Sequence, residues 1–99
     1  MNTMTNPVPL IAKEQLHSFR FAQEDVLTDL AARQKRQWDI NRATSLGNAY
    51  RGKVEITFQT AEGEKKRVDT TVWAVDDLFM ILKAGRYIPI ISVLGVEFF

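Results

Sequence analysis

The chain has no cysteine and only one histidine among its 99 residues, which excludes disulfides, thiolate nucleophiles and zinc sites built on cysteine. A small secreted scaffold stapled by disulfides is excluded with them, and a cytoplasmic setting is the expectation. Charge of one sign is also lacking. With 13 Lys and Arg against 12 Asp and Glu the net charge is +1, so no global field draws the protein to nucleic acid or anionic membrane. The most apolar stretch, Tyr87 to Leu94, falls far short of the ~20 residues of a spanning helix. The N-terminus has neither the basic region nor the apolar run of a secretory leader. What remains, 45% hydrophobic and 25% charged residues, is the usage of one ordinary globular domain.

Proline and glycine are absent between Leu10 and Leu46. Good helix formers fill this stretch, and Ala12, Leu16, Phe19, Leu27, Leu30, Ala31 and Trp38 recur at spacings compatible with one helical face. Acidic Glu14, Glu24, Asp25 and Asp29 precede basic Arg33, Lys35, Arg36 and Arg42, the order a helix dipole favours. Asp29 and Arg33 form an i,i+4 pair. The reading is therefore a flexible arm over 1–9 and a long amphipathic helix over 10–46, ended by Gly47 in Leu46-Gly47-Asn48.

Beyond Tyr50 the period changes to two: Val54, Ile56 and Phe58 alternate with Glu55, Thr57 and Gln59. Ala61-Glu62-Gly63-Glu64 reads as a hairpin turn, and Lys65 to Val75 as a second strand. A turn at Asp76-Asp77, a strand from Leu78 to Lys83, a turn at Ala84-Gly85 and a strand from Arg86 to Ile90 follow. Pro89 donates no ladder hydrogen bond, which places it on an edge or at a bulge. Residues 91–94 read as one 3₁₀ turn and Val96 to Phe99 as a fifth strand. The fold class is α+β: a long N-terminal helix, then over 50–99 a small five-stranded antiparallel meander or barrel, closure being favoured because it removes exposed edges.

Residues Trp73 to Phe98 resemble the last three strands of an Sm-like or SH3-like barrel: an apolar strand, a tight turn, a second strand, a 3₁₀ turn and a final strand. Sm-like proteins also begin with a helix, though a much shorter one, and no RNA-contacting motif of theirs matches a position here. Leu46-Gly47-Asn48, Thr70-Thr71-Val72-Trp73-Ala74 and Ile88-Pro89-Ile90 resemble a group of short bacterial proteins of unknown function. That resemblance implies a shared fold and no activity.

Catalytic chemistry finds little material. His17 stands alone, and Ser18, Ser45 and Ser92 lack a nucleophile-elbow context. The pairs Asp76-Asp77 and Glu62-x-Glu64 sit in predicted turns, where solvent keeps carboxyl ionisation ordinary. No metal, cofactor or phosphate-loop pattern occurs, so the expectation is a non-enzymatic protein. Two binding readings stand. A helix of about 35 residues is ~50 Å long and overhangs a compact unit of ~25–30 Å, leaving Leu16, Phe19, Phe21, Leu27 and Leu30 to be covered by a second chain. That predicts a binding or assembly module that self-associates through its helix, most simply as an antiparallel homodimer, with a protein partner possible and no membrane involved. The alternative is an Sm-like binder of RNA or single-stranded DNA through Lys65, Lys66, Arg67 and Arg86, with Tyr50, Trp73 and Tyr87 as stacking aromatics.

Overall fold

The computed structural model describes residues 7–99; residues 1–6 of the predicted arm lie outside them. The chain runs through β1 (Leu10–Ile11), a 3₁₀ segment (Lys13–Ser18), α1 (Leu30–Tyr50), β2 (Val54–Gln59), β3 (Lys65–Thr70), β4 (Val72–Val75), β5 (Phe79–Leu82), β6 (Tyr87–Pro89) and β7 (Val93–Phe98). The fold is α+β, with one long helix and two sheets.

The helix differs from its predicted span. It begins at Leu30 because the Asp29 carboxylate caps it, accepting from the Ala32 N–H at 3.0 Å. Asp29 is thus a cap, and Arg33 turns to Asp25 at 3.2 Å and to the Leu27 carbonyl at 2.6 Å. Residues 19–29 are not helical, for a packing reason. Phe19 and Phe21 both lie against the buried Phe58, with ring centroids 6.1 and 5.3 Å away. An extended chain places i and i+2 on one side, whereas a helix would turn them roughly 200° apart. Backbone bonds to distant strands replace the helical ones: Ala22 N–H donates to Gln59, Ala61 N–H to Arg20 and Val26 N–H to Ile91, at 3.1, 2.8 and 2.9 Å. The described part of the arm is likewise held, since Val8 and Pro9 carbonyls accept from the side chain and backbone of Arg67, both at 2.8 Å.

Gly47 does not end the helix. A Cβ there would lie 2.1 Å from the Val72 carbonyl oxygen, so glycine lets α1 cross close against β4. The helix ends one turn later, where Arg51 adopts the left-handed conformation (φ 56°) and its N–H donates to Gly47 at 3.0 Å.

The β-rich half follows its alternation closely. Val54, Ile56 and Phe58 are fully buried, and β2 pairs antiparallel with β3 and β7. The unit is not a closed barrel. The predicted second strand breaks at Thr71, so that β3 joins a four-stranded sheet of order β1-β3-β2-β7 and β4 a three-stranded sheet of order β4-β5-β6. β1 adds to β3 in parallel. Pro89 lies on β6, at an edge of the smaller sheet, and the 3₁₀ turn Ile90–Ser92 carries the chain back to the larger one. The core gathers side chains from both sheets, with Ile40 and Ala43 of α1 and Leu16 of the 3₁₀ segment.

Candidate functional site

Four of the five residues predicted to overhang are brought home within the chain ahead of α1. Leu16 is 2% exposed, and Phe19 and Phe21 pack on the core from outside. Leu27 is half-buried, and only Leu30 is freely exposed. The chain itself supplies the cover that a second copy was invoked to give. The segment is locked by an ion pair between a buried arginine and a half-buried aspartate. Arg36, 6% exposed, donates two hydrogen bonds to Asp25 at 2.7 and 2.8 Å and a third to the Val93 carbonyl at 3.1 Å. These bonds hold the Asp25 carboxyl below its ordinary range.

The four predicted cationic contacts are scattered. Lys65 is exposed at the start of β3. Lys66 points to the other side, above the Phe19 ring at 5.7 Å and 3.7 Å from Glu64. Arg67 holds the arm and pairs with Glu55 at 3.0 Å. Arg86 lines a groove of about 460 Å³ with Phe19, Phe21, Tyr87 and the exposed His17. The turn carboxylates serve the backbone: Asp76 accepts from Leu78 and Phe79 N–H groups at 2.8 and 2.7 Å, and Glu62 pairs with Arg20. Both are shifted down, contrary to the expectation of ordinary ionisation, Asp76 by its two amide donors and Glu62 by the Arg20 guanidinium. Among the described residues, no cluster of three His, Asp or Glu has metal-binding geometry.

Two further surfaces stand out among the described residues. The first is the outer face of α1. Ile40, Ala43 and Gly47 are buried, while Trp38, about 200° around the helix from Arg36, is 74% exposed. Ala31, Gln34, Trp38, Asn41, Ser45 and Asn48 are all exposed and uncharged, and repeat at alternating three- and four-residue steps. Periodicity reads Trp38 on the buried stripe, because a helix begun at Leu10 sets the wrong face inward.

The second is a recess of about 570 Å³ where the end of α1 meets β4 and the β5–β6 turn, lined by Gly47, Asn48, Arg51, Thr71, Trp73 and Lys83. The Lys83 N–H donates to the Thr71 carbonyl at 2.9 Å, fixing the turn to the strand. Trp73 is the extra residue of a β-bulge, between Val72 paired with Leu82 and Ala74 paired with Ile81. A bulge re-aims the side chain it carries, and the indole is 47% exposed. Arg51 holds a left-handed conformation that costs a non-glycine residue roughly 1–2 kcal/mol. Of Arg51, Trp73 and Lys83 the sequence singled out only Trp73, since the three line one recess only through the helix end and the bulge.

No family model, curated protein or solved structure matches the chain. Among the described residues, no helix is long and apolar enough to cross a membrane.

Proposed function

We propose that this protein is a non-catalytic binding and assembly module, and that it self-associates through the outer face of α1. The observation that carries this reading is Trp38, 74% exposed in the middle of a regular helix on the side away from the core. Truncating such an aromatic anchor at an interface typically costs more than ~2 kcal/mol. The occupant is a second copy because the seam is complementary to itself. It carries no charge to repel its own image, and the amides of Gln34, Asn41 and Asn48 are each donor and acceptor. An antiparallel pairing about the helix midpoint sets Trp38 of one copy against Asn41 of the other, Gln34 against Ser45 and Ala31 against Asn48.

The order of elements in the β-rich half, with a 3₁₀ turn between the last two strands, supports kinship with Sm-like and SH3-like barrels in an open form. The nucleic-acid alternative has less support, because Arg67 is engaged within the fold, Lys66 lies beside Glu64, and strand alternation turns Lys65 away from the Phe19 side on which Lys66 and Arg86 lie.

Light scattering and sedimentation over roughly 10–300 μM test the reading. The expected result is a mass rising to that of two chains, with Trp38→Glu weakening association at least ~tenfold at an unchanged circular dichroism spectrum. A monomer mass throughout overturns it.

A further inference from the structure

The recess at the end of α1 combines features that its packing role does not require. Its lining includes two cations, Arg51 and Lys83, and no carboxylate; among the described residues neither has a salt-bridge partner. Arg51 occupies the left-handed position even though the next residue is Gly52, the residue type helices normally place there. Strain of this kind concentrates at binding sites, where the side chain matters more than the backbone's comfort. The bulge at Trp73 turns an indole into the same space, and its volume of about 570 Å³ falls within the ~300–1,000 Å³ of small-molecule sites.

We propose that this recess binds a nucleotide, its ring stacked on Trp73 and its phosphate held between Arg51 and Lys83. The indole offers a flat apolar face to any base. The guanidinium gives a bidentate fork for phosphate oxygens, and the ammonium gives a point charge beside it. The Asn48 amide supplies a donor and an acceptor for a base edge. A free nucleotide and a nucleotide within a single strand present the same groups, so the experiment separates them. The recess shares Asn48 with the α1 seam, while its stacking and phosphate-holding groups, Trp73, Arg51 and Lys83, lie outside that seam.

The test uses the full chain with Trp38→Phe, which leaves Trp73 as the sole tryptophan, titrated by fluorescence at low salt with AMP, adenosine, inorganic phosphate and a ten-residue oligo(dA). Expected is saturable quenching by AMP, with adenosine and phosphate each at least ~tenfold weaker. In this background Arg51→Gly and Lys83→Ala each weaken AMP by about tenfold. Arg51→Gly also raises the urea midpoint, because glycine suits the left-handed position, which separates lost binding from lost folding. Oligonucleotide binding at least ~tenfold tighter than AMP assigns the site to a strand, and equal binding assigns it to the free nucleotide. Binding of AMP no tighter than adenosine and phosphate, or unchanged by both substitutions, overturns the proposal.

Discussion

Residues 8–29 and residues 54–98 are both held by backbone hydrogen bonds, but the two regions find their partners differently. In the β-rich region most strands pair with a neighbour one hairpin away, as Val54 to Gln59 do with Lys65 to Thr70. In the N-terminal region the partners lie across the chain: Pro9 with Arg67, Ala22 with Gln59, Val26 with Ile91. Alternation and turn chemistry therefore specify the first region locally. The second takes its shape from a surface that exists only once the sheets have formed, and that surface overrides a helix-forming composition.

The sharpest way to break this comparison is to remove what ties the N-terminal segment down. Arg36→Ala leaves the Asp25 carboxylate without its main partner, and breaking a buried pair in this way costs roughly 3–5 kcal/mol. Here the lower end, about 3 kcal/mol, is expected because Arg33 stays within 3.2 Å of Asp25. Urea unfolding reads the loss. Hydrogen exchange locates it, with Ala22 and Val26 amides losing protection while β2 and β3 keep theirs. The same pair predicts an acid response. The Asp25 pKa is lowered in the fold, so its contribution is complete above the ordinary value of about 3.9 and is lost as pH falls through that value toward the folded one. Wild type is expected to lose stability there more steeply than Arg36→Ala, whose Asp25 has lost the largest cause of that shift and keeps only the Leu27 N–H and the Arg33 charge.

Much of the β-rich half was legible, because Val54, Ile56 and Phe58 announce one buried face and Pro89 an edge, though the last strand starts at Val93, ahead of the predicted Val96. The break at Thr71 and the bulge at Trp73 were not, because Thr70 to Val75 reads as one uninterrupted β-forming run. The N-terminal half was not, because the decisive contact, two phenylalanines two residues apart on one buried ring, is invisible to a helical periodicity search. The two candidate surfaces were hidden for related reasons. Misplacing the helix start turned Trp38 inward, and Leu46-Gly47-Asn48 reads as a cap when the actual demand at Gly47 is space. Gly47→Ala tests that point. A Cβ 2.1 Å from a backbone carbonyl forces α1 away from β4, with an expected loss of about 1–3 kcal/mol. Trp73 emission should shift as the recess changes shape. A substitution that left stability unchanged would return Gly47 to the role of a flexible stop.

The smallest effect belongs to the region that folds by local pairing. Glu55 stands between Asp69 on β3 and Glu97 on β7 in the strand register, a row of three carboxylates across the larger sheet. Asp69 bears the cost: burial first, then the Glu55 charge, raises its pKa, and one of its oxygens is buried without a hydrogen-bond partner. For a carboxyl raised in the fold the sign is the reverse of Asp25. The native state holds the proton more tightly, so stability is lost as pH climbs from the unfolded value through the folded one. Asp69→Asn removes the repulsion and gives Glu55 an amide donor. It should stabilise the protein by up to about 1 kcal/mol at pH 7, the scale of a cross-strand pair, and by nothing near pH 3, where Asp69 is already neutral. Urea midpoints of both proteins at the two pH values measure this. A gain of equal size at both would mean that shape, rather than charge, is what Asp69 costs the sheet.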